Sequence, residues 1–163
     1  MPSRSNSKPS RTAALLQIKH LAVAGILLAL LPAVAAAVEF RSIASPKAVL
    51  YDAPSTSSGK LYVIGQGYPV EVIVDLGAWI KVRDNLGGLS WVEAKQLATK
   101  HTVLVTQDQA ELRQDAKASS ALNARLEQNV VLEMLAPPSN GWIKVRHRDG
   151  LTGYILASSV WGY

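Results

Sequence analysis

Two histidines, His101 and His147, are the only imidazoles after residue 37, and they set the ceiling on the chemistry this chain can carry out. They are not paired at a metal-ligand spacing, and a zinc site needs three or four ligands. No motif places a serine or an acid beside either one in the manner of a nucleophilic triad. His147 and Asp149 flank one residue in Arg148-Asp149-Gly150, which reads as a hairpin turn rather than an acid–base dyad. No catalytic residue, metal ligand or cofactor site is expected. The side chains that remain are suited to holding a ligand. Tyr51, Tyr68, Trp79, Trp91, Trp142 and Tyr154 offer large faces with polar edges, the kind of side chain enriched in binding sites. Each has a structural alternative, since Trp79 and Trp142 can cap a core and Trp91 and Tyr154 can pack against one. Lys81 and Arg83 share a strand face, as do Lys144, Arg146 and Arg148; such stripes could meet anionic wall polymers or carboxylates through bidentate arginine, or be an ordinary solvated face. Glu71 and Glu133 stand on neighbouring strands, where they would neutralise those cations across the ladder.

The elements that position these residues come in two copies. The pentapeptide Trp-Ile-Lys-Val-Arg occurs at Trp79–Arg83 and again at Trp142–Arg146, a self-similarity that marks a repeat. Ala48-Val49-Leu50-Tyr51 aligns with Ala110-Glu111-Leu112-Arg113, and Val70-Glu71-Val72-Ile73 with Leu132-Glu133-Met134-Leu135. One added residue in the Pro137–Gly141 loop shifts the later matches, so that Gly87 meets Gly150 and Trp91-Val92 meets Tyr154-Ile155. Within each copy, apolar residues alternate with polar ones at period two, as in Ile80 and Val82 against Lys81 and Arg83. Turn residues recur every ten or so positions. Asp115–Gln128 is the only stretch that could pass for a helix, but Ser119, Ser120 and Asn123 are weak helix formers, so it reads as loop plus a short strand. The reading is all-β: two tandem five-stranded small barrels, which close their edges better than open sheets. The copies are expected over residues 38–98 and 99–163. Each is near 60 residues and without cysteine, so no disulfide can hold it, and the two are expected to dock and share apolar surface.

Residues 1–37 read as a secretory signal helix. Arg4, Lys8, Arg11 and Lys19 are followed by an apolar run from Leu21 to Leu31 and small residues ending at Ala37. Cleavage is placed after Ala37, with Ala35 next, and an uncleaved membrane anchor is the alternative. Four of the 17 Lys and Arg, and none of the 12 Asp and Glu, lie in this segment, so residues 38–163 carry 13 − 12 = +1. A nucleic-acid partner loses its main support, because such binding neutralises many phosphates.

The order Leu50, Pro54, Gly67-Tyr68-Pro69-Val70-Glu71-Val72, Trp79-Ile80-Lys81-Val82 and Trp91-Val92 resembles the bacterial Src-homology-3-like (SH3-like) family. The second copy keeps Leu112-Arg113, Trp142-Ile143-Lys144-Val145 and Gly153-Tyr154-Ile155. The resemblance covers nearly all of residues 38–163. It departs at Val49 and Glu111, where the family pattern has Asn, and at Ser90, where it has Gly. It implies a five-stranded barrel and a periplasmic or secreted protein that binds without catalysing. The implied ligand is a cell-wall peptide of peptidoglycan type or an envelope protein. The site it implies is a groove walled by Tyr51, Tyr68, Trp79 and Trp91 in the first copy and by Arg113, Trp142 and Tyr154 in the second. The alternative is a structural or protein–protein interaction module with no wall binding.

Overall fold

A computed structural model describes Val38–Tyr163; the expected signal helix lies outside the described residues. The first copy contains β1 (Phe40–Ile43), β2 (Lys47–Tyr51), β3 (Lys60–Gly65), β4 (Pro69–Asp75), β5 (Trp79–Arg83), β6 (Leu89–Glu93) and β7 (Leu97–Ala98). The second contains β8 (Thr102–Val105), β9 (Ala110–Arg113), β10 (Leu122–Leu126), β11 (Val131–Met134), β12 (Trp142–Arg146), β13 (Thr152–Leu156) and β14 (Val160–Trp161). The sheet orders are β3-β2-β6-β5-β4-β1-β7 and β10-β9-β13-β12-β11-β8-β14, the same arrangement twice. Each copy therefore has seven strands rather than the expected five. The additional pair joins the ends of each copy: β1 with β7 at Ser42–Ala98 and Ile43–Leu97, and β14 with β8 at Val160–Val105 and Trp161–Leu104. All pairings are antiparallel, and a single 3-10 turn precedes the last strand of each copy.

The alternating pattern buries one face of each sheet. The first core holds Ile43, Ala48, Leu50, Val70, Ile80, Val82 and Val92. The second holds Val105, Ala110, Leu112, Leu132, Ile143, Val145 and Ile155 at the matching positions. Each larger aliphatic side chain removed from water contributes roughly 1.5–3 kcal/mol, so matched cores give matched frames for the residues on the outer faces. The hairpins are closed by carboxylates. Asp84 Oδ1 accepts from the amides of Leu86 (2.9 Å) and Gly88 (2.8 Å), and Asp149 Oδ1 from that of Leu151 (2.9 Å). The segment read as loop plus strand is that: Asp115–Ser120 turns, and β10 follows.

The two barrels pack on each other. All four residues of β8 are buried. Val103 and Val105 serve the second core, while the Thr102 hydroxyl donates to the Gly67 carbonyl of the first barrel (2.7 Å). Ser42 donates to the Lys100 carbonyl (2.7 Å). Trp161 meets Phe40 edge to face, with ring centroids 5.1 Å apart. The C-terminal tail thus contacts both barrels. Gly162 is required there: its φ is +112°, and a Cβ would lie 2.7 Å from Pro69 Cβ and 3.0 Å from the Thr102 carbonyl oxygen.

Candidate functional site

Strands β5 and β6 carry the first site on their outer faces. Since Ile80, Val82, Ser90 and Val92 point inward, Trp79, Lys81, Arg83, Leu89, Trp91 and Glu93 must point outward. The register sets Trp79 opposite Glu93, Lys81 opposite Trp91 and Arg83 opposite Leu89. The Lys81 ammonium lies 5.9 Å from the centroid of the Trp91 ring, a cation–π arrangement. Strand β2 joins this face where Tyr51 pairs with Trp91. The Tyr51 ring abuts Trp79 edge to face, with centroids 5.4 Å apart. Expected at the surface, Tyr51 is only 6% exposed. It supports the half-buried Trp79 from beneath instead of presenting its own face. Alternation along β2 sends Ala48 and Leu50 to the core and Tyr51 to the outer face, where packing against Trp79 buries it.

The second barrel repeats the plan with different residues. Lys144 faces Tyr154 across the ladder, again 5.9 Å from the ring centroid. Arg113 pairs with Tyr154 as Tyr51 does with Trp91, and Trp142 stands opposite Leu156 where Trp79 faces Glu93. Arg113 is already engaged: it donates to the Ser120 carbonyl (2.7 Å) and pairs with Glu111. Its fork holds the 115–120 turn in place, and a cavity of about 240 Å³ between Arg113 and Trp142 extends the site.

Tyr68 does not join the first group. It lies at the far end of β5 from Trp79, packs against the first core and donates its hydroxyl to Asn85 Oδ1. Burial pushes that hydroxyl's pKa up. Tyr68 braces the β5–β6 hairpin, so the expected groove wall of Tyr51, Tyr68 and Trp79 is not formed as one surface. Trp79, Trp91, Trp142 and Tyr154 are all half-buried, between the core role and the open groove that their sequence positions allowed.

The cations divide into two kinds. Arg83 forms a two-toothed pair with Glu71 (2.9 and 3.0 Å), and Arg146 pairs with Glu133 (2.9 and 3.2 Å), as the alternating pattern implied. Lys100 also reaches Glu133 at 3.1 Å. Arg146 first and Lys100 second hold the Glu133 carboxyl below the usual carboxylate range. Lys81 and Lys144 instead sit over aromatic rings. His147 Nδ1 is 2.9 Å from Asp149 Oδ1 within the turn closed by the Gly150 amide and His147 carbonyl (3.0 Å), consistent with a structural role. Among the described residues there is no group of three or more His, Cys, Asp or Glu that could hold a metal ion. Among them also, no helix is long and apolar enough to cross a membrane.

A feature missed from the sequence lies between the barrels. It is a cleft of about 1150 Å³ with Ser42–Ala44, Gln66 and Gly67 on one side and Glu133, Arg146, His147 and Arg148 on the other. No local pattern could have revealed it, because it joins segments about a hundred residues apart.

Two sheets of one order, each with an outward Trp and a Lys-capped ring, define a duplicated SH3-like module. The chain belongs to the bacterial SH3 domain family, whose model matches it twice, over residues 44–98 and 106–162. No curated protein matches the chain. Among solved structures it is similar to NlpC2 of Trichomonas vaginalis (14% identity, TM-score 0.35, 76% of this chain and 48% of that one). It is similar also to NlpC1 of the same organism (13%, 0.36, 78% and 47%). A third is an NlpC/P60 family protein from Bacillus cereus (16%, 0.35, 77% and 56%). The chain thus spans about half the length of these proteins.

Proposed function

We propose that this is an exported, non-enzymatic binding protein whose paired barrels recognise a peptide or peptidoglycan-type ligand in the cell envelope. The observation that carries the reading is the repeated outer-face trio. Trp79 with Lys81 over Trp91 recurs as Trp142 with Lys144 over Tyr154, on equivalent strands. Core packing does not require a lysine over the outer face of a half-buried ring. A ligand backbone or sugar can stack on such a surface while the ammonium meets a carboxylate. Membership of a family associated with envelope binding supports the same reading, as does the signal-type composition of residues 1–37. Two sites on one docked body would raise avidity through effective concentration without new contacts.

The alternative, a purely structural module, would place Trp79 and Trp142 at the barrel–barrel seam. Contacts across the seam come instead from Phe40, Gly67, Thr102 and Trp161, which leaves both tryptophans on the outer faces. Co-sedimentation with purified peptidoglycan sacculi tests the proposal. The wild type is expected to sediment and the Trp79→Ala, Trp142→Ala double variant to stay in solution. A wild type that remains soluble, or a double variant that sediments fully, would refute it.

A further inference from the structure

The cleft between the barrels is a second place where this chain can hold a ligand, and its charge is uneven. On the second barrel and the linker it is lined by Lys100, Glu133, Arg146, His147 and Arg148. With the imidazole neutral, these sum to 3 − 1 = +2, against +1 for all of residues 38–163. The first barrel's side of the cleft, including Gln66, contributes no charged residue. At about 1150 Å³ the space is ample for a short peptide.

The repeat supplies an internal comparison. Glu71 and Arg83 occupy the positions of Glu133 and Arg146 and form the same pair. The next two residues differ in charge. The first barrel has Asp84 and Asn85, which close its own hairpin through Leu86, Gly88 and Tyr68. The second barrel has His147 and Arg148 at those positions, and there the hairpin borders the cleft. Frame and turn are shared, so the fold does not demand the basic pair. Arg148 is exposed and has no carboxylate partner among the described residues. The nearby Asp149 carboxylate is turned onto the Leu151 amide and His147 Nδ1. Glu133 draws Lys100 and Arg146 together, within 3.1 and 2.9 Å of one oxygen, so two cations are held side by side before any ligand arrives. Arg146 uses Nε and Nη2 for this, leaving its Nη1 hydrogens available.

We infer that this cleft binds a carboxylate-bearing segment of a peptide, with the anionic group received by Arg148, Arg146 and Lys100. A carboxylate suits the site better than a phosphate polymer, because three cations offset by Glu133 match one or two charges and a guanidinium fork matches a planar acid. Along β12, the outward residues Trp142, Lys144 and Arg146 form a row that leads from the proposed aromatic site to the cleft mouth. The inference deepens the proposed function and rests on it only for the peptide nature of the ligand.

The test is a titration of the full chain with acetyl-triglutamate amide, followed by backbone amide and arginine Nε resonances. Shifts are expected at Lys100, Arg146, His147, Arg148 and Gly67, with none from acetyl-triglutamine amide. Arg148→Gln is expected to weaken binding about tenfold, the effect of one charged hydrogen-bonding partner. Lys60→Gln, the same change of charge on β3, is expected to leave it unchanged. Retained dispersion of the Arg148→Gln spectrum separates loss of binding from loss of fold. The inference is overturned if no cleft resonance moves at millimolar peptide. It is also overturned if Arg148→Gln and Lys60→Gln behave alike, or if polyphosphate moves the cleft and triglutamate does not. Triglutamate binding without sedimentation on sacculi supports this inference and refutes the earlier proposal; sedimentation without triglutamate binding does the reverse.

Discussion

Replacing Gly162 by alanine tests whether the barrels form one body. The backbone there has φ of +112°, where an L-residue is strained by roughly 1–3 kcal/mol. The added methyl would lie 2.7 Å from Pro69 Cβ, 3.0 Å from Pro69 Cγ and 3.0 Å from the Thr102 carbonyl oxygen. None of these is a flexible side-chain end, so the seam must open or distort, at about 1–3 kcal/mol for overpacking. The two terms together give about 4 kcal/mol. Gly141→Ala is the matched control: its φ is +78°, yet nothing lies within 4 Å of the new methyl, so only the backbone cost of about 1–2 kcal/mol applies. Urea unfolding of the full chain, followed by tryptophan fluorescence, reads both. Gly162→Ala is expected to lower the midpoint by about 2 M, given a slope near 2 kcal/mol per molar, and Gly141→Ala by about 0.5–1 M. Equal effects would show that Pro69 and Thr102 do not press on the tail, and the docked arrangement that forms the cleft would be wrong.

The matched cores make a paired prediction. Ile80→Ala and Ile143→Ala each remove a fully buried side chain from the same position and should each cost about 2–5 kcal/mol in urea unfolding. Glu133 gives a pH prediction. Because Arg146 and Lys100 depress its folded pKa, its contribution to stability is present above the unfolded carboxylate pKa and is lost as pH falls through the lower folded value. Carbon NMR of the Glu133 carboxyl should show a midpoint below the usual carboxylate range, and Arg146→Gln should raise it.

The repeated pentapeptide and the period-two alternation made the two-copy β organisation legible, because seven core positions recur in the same order, shifted only by the one residue added in the Pro137–Gly141 loop, and their neighbours must face outward. The pairing of Glu71 with Arg83 and of Glu133 with Arg146 was legible for the same reason: antiparallel register brings alternate residues of adjacent strands together. Strands β7 and β14 were not, since Leu97–Ala98 and Val160–Trp161 are two residues long and exist only because β1 and β8 offer them an edge. Tyr51 and Tyr68 misled for another reason. Both are aromatic and belong to the expected groove, but Tyr51 is covered by its contact with Trp79 and Tyr68 is held by its hydrogen bond to Asn85. Neither has a signature in a single sequence. The cleft depends on the docking angle of the barrels, which follows from Gly67, Thr102 and Gly162 acting at a distance in the chain.

The central claim is that the outward aromatic residues hold the ligand, and the chain's four tryptophans allow a direct measurement. Indole N–H resonances should be followed while soluble peptidoglycan fragments are added. Signals of Trp79, Trp91 and Trp142 are expected to shift, and that of Trp161, held against Phe40 in the seam, to stay in place. A spectrum in which Trp161 alone moves, or in which none moves at saturating fragment, would contradict the account.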